Sequence, residues 1–262
     1  MATTRPPLAV DVHRPTTGHT ATPERLVFVH GFTQTRHSWD PLAASLRDRY
    51  ESVTVDAPGH GQSGELRLDL VAAAATLAET AGRASVIGYS MGGRLALHLA
   101  LARPDVVQRL VLVSTTAGLD AWADREQRRL SDEQLAIEIE RDGVAAFVER
   151  WLALPLFAGL PRAAAQVDQR LTNTAAGLSS SLRLAGTGAQ ASLWSRVGEL
   201  RMPVLVVVGA GDTKFVAIGE RLHGLIAGSE LIEIDGAGHT VHLEAPEAFE
   251  SVLRDWLART PI

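Results

Sequence analysis

Six short apolar runs recur along the chain: RLVFVH (25–30), SVTVD (52–56), ASVIG (84–88), RLVLVS (109–114), VLVVVG (204–209) and ELIEID (230–235). They do not alternate apolar with polar residues, as a strand with one wet face would. Runs that are apolar throughout suit parallel strands covered on both faces. Helical patterns at 39–48, 69–80, 91–102, 216–227 and 245–258 fill the intervals. This βαβα order predicts an α/β fold: a mostly parallel sheet of about eight strands flanked by helices and joined by right-handed crossovers. The segment LAVDVHRP (8–15) reads as an antiparallel hairpin strand at the sheet edge. The rhythm stops between Leu119 and Leu200, where helical patterns lie around 123–141, 143–153, 161–176 and 187–196, punctuated by Pro155 and Pro161. The sheet resumes at Pro203. The expected organisation is a core in two parts, 1–118 and 201–262, with a helical cap at 119–200. The 262 residues suit one such domain with an inserted subdomain.

Composition removes several classes. The absence of cysteine excludes disulfides and thiolate metal sites and fits a reducing compartment. A net charge of −5 argues against nucleic acid or an anionic membrane as partner. The opening MATTRPPLAVDVHRP has no apolar signal-peptide core, although its proline- and threonine-rich character is unusual. No segment approaches the roughly 20 apolar residues that span a bilayer. A cytoplasmic protein is expected. No H-E-x-x-H or comparable ligand spacing occurs, so no metal and no cofactor are expected. Of 25 basic residues only Lys214 is a lysine, as an arginine-biased genome would give; its survival slightly favours a task, against the default of a surface lysine without an assigned contact.

Gly88-Tyr89-Ser90-Met91-Gly92 is G-x-S-x-G between a strand and a helix. That context makes it a nucleophile elbow, a tight turn that presents a serine hydroxyl at a helix N-terminus. The serine needs a base. His239, in DGAGHTVHLEAP, follows the last strand at the carboxyl edge where α/β sites assemble. His242 is its weaker competitor, and His30 and His60 sit in glycine-containing turns. Asp212, in VVVGAGDTKF, follows the preceding strand and could orient the imidazole or simply cap a helix. The chain order serine, acid, histidine is that of a known hydrolase scaffold. In VHGFTQ (29–34), the N–H of Phe32 can pair with that of Met91 as an oxyanion hole. His30 fits a brace for that loop.

Arg94 stands one helical turn after Ser90, on the same face of an apolar helix. A buried guanidinium there needs an internal carboxylate, an anionic ligand, or a route by which it snorkels to water.

These features resemble the α/β-hydrolase family. The cap segments DREQRRLSDEQLA (124–136), FVERWLALPLF (147–157), QRLTNTAAGLSSSL (169–182) and GTGAQASLW (186–194), with GYSMGGRLAL, GDTKF and GAGHTVHLEAP, resemble the 2-succinyl-6-hydroxy-2,4-cyclohexadiene-1-carboxylate synthases of menaquinone biosynthesis, over residues 26–257. The resemblance implies a triad of Ser90, Asp212 and His239. It places Tyr89, Arg94, Arg128, Trp151, Phe157 and Arg170 at substrate-pocket positions, with Arg125 and Arg129 close enough to Arg128 to exchange with it. Trp151 and Phe157 equally fit the cap's core. Residues 158–168 are not distinctive. The implied reaction is elimination of pyruvate from a small polycarboxylate, with Ser90 as a base. The alternatives are a serine carboxylesterase or carbon–carbon bond hydrolase of the same fold, or a ligand sensor that does not turn over. No feature sets an oligomeric state.

Overall fold

A computed structural model describes residues 7–16 and 23–262. The residues 1–6 and 17–22 of the proline- and threonine-rich opening lie outside it. In chain order the core elements are β1 (Val10–His13), β2 (Glu24–Val29), α1 (Asp40–Ser45), β3 (Tyr50–Val55), α2 (Leu70–Ala81), β4 (Ala84–Tyr89), α3 (Met91–Ala102) and β5 (Val107–Val113). Then come α4 (Trp122–Leu152), α5 (Val167–Arg170) and α6 (Ala175–Ala185). The core resumes with β6 (Val204–Gly209), α7 (Thr213–Leu225), β7 (Glu230–Ile234), α8 (Val241–Glu244) and α9 (Pro246–Arg259).

Among the described residues the strands form one seven-stranded sheet, in the order β1-β3-β2-β4-β5-β6-β7. That is one strand fewer than expected. All neighbours run parallel except β1, which pairs antiparallel with β3 at the edge. β1 is thus an edge strand, but it does not form a hairpin with the strand that follows it.

The apolar runs have a simple physical cause. Val27, Val29, Val86, Leu110, Leu112, Val204 and Val206 point to one face, in a core shared with Leu77 of α2 and Leu97 and Leu99 of α3. The intervening residues Leu26, Phe28, Ile87, Val111, Val113, Leu205 and Val207 point to the other, where they meet Trp39 and Phe249, Leu253 and Trp256 of α9. Both pleats are therefore dry, and neither set can be polar.

Strand order reverses between β2 and β4, whose carboxyl ends lie side by side. Such a switch point leaves a crevice beyond the strand ends. Backbone strain gathers there. Thr33 (φ 67°), Ser90 (φ 51°) and Ser114 (φ 44°), which follow β2, β4 and β5, are left-handed without being glycine. Conformations of this kind cost of order 1–3 kcal/mol each and persist where surrounding structure enforces them.

Residues 119–200 contain no strand. The helical patterns 123–141 and 143–153 correspond to α4, whose helical geometry breaks at Gly143 (φ 81°, ψ 166°). Two other expectations fail. Residues 161–176 are not one helix. A 3-10 turn at Arg162–Ala165 ends at left-handed Gln166 (φ 52°), short α5 follows, and a new helix, α6, begins after Thr174. Thr174 caps α6 by accepting from the Gly177 N–H (3.0 Å). Residues 187–196 are not helical. They are drawn out by tertiary bonds: Leu193 N–H to Ala117 O (2.8 Å) and the Trp194 indole N–H to Gly118 O (2.9 Å). No helix among the described residues is long and apolar enough to cross a membrane.

Candidate active site

Ser90 ends β4 and precedes α3, with its own N–H bonded to Val113 O (2.9 Å) and its carbonyl accepting from the Thr115 hydroxyl (2.7 Å). The glycines of the motif answer to crowding. A Cβ on Gly92 would lie 2.2 Å from Val29 O, and one on Gly88 2.5 Å from Gly92 O. Only bare backbone lets α3 start against the end of β2, which is what aims the serine into the crevice.

His239 lies in the turn between β7 and α8. Its Nε2 is 3.2 Å from Ser90 Oγ and its Nδ1 2.8 Å from Asp212 Oδ2. Asp212 is also a helix cap: its Oδ1 accepts from the Phe215 N–H at the start of α7 (3.3 Å). The two readings of Asp212 coexist, one on each carboxylate oxygen. The imidazole sits among the rings of Phe215, Tyr89 and Phe157, at centroid distances of 4.5, 5.4 and 6.3 Å. The Tyr89 hydroxyl bonds to Thr240 Oγ1 (3.1 Å), and burial raises its pKa, so it stays neutral.

Among the described residues the N–H groups of Phe32 and Met91 donate to no other protein group. Both residues line the cavity that holds Ser90 and His239. The loop that carries Phe32 is pinned. His60 Nε2 accepts from the Thr33 N–H (3.3 Å), and Asn173 Nδ2 donates to Thr33 O (2.7 Å). His30 accepts from the Ala57 N–H (3.0 Å) and is fully buried, as expected of a brace. His242 does not approach the serine. It stacks on Trp39 at 4.1 Å, and burial next to Arg170 lowers its pKa to about 3.

The arginines separate into two kinds. Among the described residues four are more than nine-tenths buried: Arg36, Arg94, Arg109 and Arg170. Arg36 pairs with Asp11 and Asp56, and Arg109 with Glu24. Among the described residues no carboxylate lies within bonding reach of Arg94 or Arg170, and both line the cavity beside Ser90. Arg94 Nη1 donates to Ala185 O (2.7 Å) and Gln190 Oε1 (3.3 Å). Arg170 donates to Ala165 O (2.8 Å) and to the Thr33 hydroxyl. Burial lowers the pKa of each to about 10, helped at Arg94 by the neighbouring charge of Arg128. Both remain cations at neutral pH.

Arg128 lines the same cavity, but its Nε donates to Asp132 (2.7 Å), a buried carboxylate that also accepts from the Gly188 N–H (3.2 Å). Arg125 bonds the carbonyls of Leu119 and Asp120, and Arg129 pairs with Glu126 (3.0 Å); neither lines the cavity. Trp151 and Phe157 belong to both readings made of them. They line the cavity and also pack with each other (5.7 Å), Trp151 against Phe32 (5.4 Å) and Phe147 (5.7 Å).

Sequence reasoning missed Gln190, Thr33 and Asn173, which reach the site through tertiary contacts that carry no local signature. It also missed Glu244. The two oxygens of that carboxylate accept from the N–H groups of Gly238 (2.7 Å) and Thr240 (2.8 Å), one on each side of His239. A carboxylate five residues after the histidine, in HTVHLE, was the available signal.

Residues 26–252 match a model of the alpha/beta hydrolase family. A Bacillus subtilis protein, provisionally named a 2-succinyl-6-hydroxy-2,4-cyclohexadiene-1-carboxylate synthase, is 39% identical over 89% of this chain and 90% of its own. A pimeloyl-[acyl-carrier protein] methyl ester esterase of Neisseria meningitidis is 31% identical over 89% of this chain and 93% of its own. Among solved structures, MenH from S. aureus superposes with a TM-score of 0.89 at 30% identity, covering 96% of this chain and 98% of that one. The elbow, the order of its partners and the reversed sheet have a common origin: the chain belongs to the alpha/beta hydrolase family.

Proposed function

We propose that this chain is a carbon–oxygen lyase that eliminates pyruvate from 2-succinyl-5-enolpyruvyl-6-hydroxy-3-cyclohexene-1-carboxylate in menaquinone biosynthesis. The observation that carries the reading is the pair of buried, acid-free guanidinium groups, Arg94 and Arg170, in one cavity with Ser90. An unpaired buried cation is costly, and a polycarboxylate substrate supplies what the protein withholds. The relative from Bacillus subtilis supports the same substrate class by its name.

In this reading Ser90 is a base. His239 draws the hydroxyl proton, and Asp212 holds the imidazole in the tautomer that accepts it. The serine oxygen takes the ring proton next to the succinyl ketone, and the electron pair left behind forms a ring double bond. The existing double bond shifts by one position, and the carbon–oxygen bond to the enolpyruvyl group breaks. The departing enol collects a proton at its methylene carbon and becomes pyruvate. No water is consumed. The N–H groups of Phe32 and Met91 would hold the charge that grows on the ketone oxygen, and one such donor is typically worth about 10²–10³ in rate. The helical segment 119–200 serves as the cap over this cavity, and the cytoplasm is the compartment the composition favours.

A second reading, a serine hydrolase, has one observation in its favour. The esterase from Neisseria meningitidis is also similar over nearly the whole chain, and the Ser90–His239 contact serves either reaction. Incubating the protein with the enolpyruvyl substrate, and measuring pyruvate beside hydrolysis of p-nitrophenyl esters, separates them. Stoichiometric pyruvate with slow ester hydrolysis supports the lyase; ester turnover without pyruvate refutes it.

A further inference from the structure

The substrate just proposed carries three carboxylates, whereas the cavity offers two cations free of acids. Arg128 shares its charge with Asp132, so Arg94 and Arg170 are one short. A third stands at the mouth. Lys214, the only lysine of the chain, lines the same cavity while remaining exposed, and no carboxylate among the described residues pairs with it. Its Nζ lies 5.7 Å from the centroid of the Phe215 ring, and that ring lies 4.5 Å from the His239 imidazole. Asp212 fixes this segment by capping α7, which starts at Thr213. The lysine therefore stands on the first turn of a helix nailed to the serine–histidine pair, with its ammonium over the ring that flanks the imidazole.

That position selects one carboxylate. The two deep guanidinium groups are fixed by carbonyl and side-chain bonds and suit the groups that stay on the ring product. The enolpyruvyl group has to leave, and it has to collect a proton relayed from His239. It therefore belongs near the imidazole and the mouth. We infer that Lys214 is a specificity-determining residue that binds the enolpyruvyl carboxylate and follows it out as pyruvate. A flexible, strongly hydrated ammonium suits a group that must be gripped and released, where a planar fork suits one that is held. This inference rests on the lyase reading above.

The test is a comparison of tricarboxylate substrate with dicarboxylate ring product. Lys214→Gln raises KM for pyruvate release about tenfold, near 1.4 kcal/mol, with kcat within about threefold. Lys214→Arg restores KM to within about threefold. In the Ser90→Ala background, calorimetry gives an equal loss of substrate affinity on Lys214→Gln and less than about a twofold change for the product. Unchanged substrate KM and Kd overturn the inference, and so does an equal loss for substrate and product. Failure of the lyase reading looks different: the wild-type protein releases no pyruvate, while the calorimetric comparison still reports whether Lys214 binds the third carboxylate.

Discussion

Replacing Arg94 by methionine separates activity from stability. The side chain is 7% exposed, and burial with the charge of Arg128 brings its pKa from 12.5 to about 10. Each unit corresponds to about 1.4 kcal/mol, so the charged form weakens the free protein by about 3 kcal/mol relative to the unfolded chain. The folded pKa lies below the unfolded one. The penalty is therefore complete below pH 10 and fades as pH rises through 10 toward 12.5. Methionine fills a similar volume without the charge. Against that gain stand two lost hydrogen bonds from a charged donor, to Ala185 O and Gln190 Oε1, worth about 1.5 kcal/mol each. The two nearly cancel, so Tm stays within about 2–4 °C of the wild type, the span of about 1 kcal/mol. For the substrate, the loss of a charge-assisted contact of about 1.5–3 kcal/mol lowers kcat/KM roughly 10- to 150-fold. Thermal unfolding of the free protein and steady-state pyruvate release measure the two halves. A variant that melts several degrees lower and keeps its KM would refute the reasoning, because Arg94 would then be a structural residue satisfied by its carbonyls.

Ser90→Ala abolishes pyruvate release, and intact-protein mass spectrometry of the wild type during turnover finds no mass added to Ser90; a trapped adduct contradicts the base role. Glu244→Gln leaves one acceptor for the two N–H groups flanking His239, and lowers kcat about tenfold with KM and fold retained; unchanged kcat shows that the clamp is dispensable. His242 has its pKa lowered to about 3, so in the range from pH 6.5 down to about 3 it binds a proton only when unfolded, and stability falls with pH. His242→Phe keeps the stack on Trp39 and removes that proton, so denaturant unfolding at pH 7 and pH 5 shows a variant that loses about 2 kcal/mol less stability over that interval; parallel losses in both proteins contradict a neutral His242.

What the sequence reveals and conceals follows from how each feature is encoded. The core strands are legible because Val204–Gly209 and its neighbours are buried on both faces, so every residue in the run reports the same environment. The serine elbow is legible because the turn needs glycine at 88 and 92 for steric reasons that act locally. Segment 161–196 is not. Gln166 takes a left-handed turn without being glycine, and Gly186, Gly188 and the bonds of Leu193 and Trp194 stretch a stretch of helical composition into a loop. Those determinants lie on the core, about 75 residues earlier in the chain. The arginines show the same divide. A spacing of four from Ser90 placed Arg94 on the correct face, but whether a carboxylate faces it is a fact of tertiary structure. The Asp132 that occupies Arg128 is a different case, an i,i+4 pair on one helix that spacing alone could have shown.

On the lyase reading, the same arrangement gives a hydrolase scaffold a way to discriminate against esters. In the free protein Arg94 and Arg170 are desolvated and hydrogen-bonded to neutral oxygens, so each is held in a state that a bound carboxylate improves. A neutral ester gains nothing from them. An anion recovers part of the desolvation already spent in folding, and so binds better than contacts made from water would allow. The selectivity is thus stored as instability of the empty site. Filling the cavity's acid deficit from within should convert one into the other: Gln190→Glu places a carboxylate at the group that already bonds Arg94, raises Tm, and weakens binding of anionic substrates. If Gln190→Glu stabilised the fold and left KM untouched, Arg94 would not be held in reserve for the substrate, and the discrimination would have to come from the shape of the cavity alone.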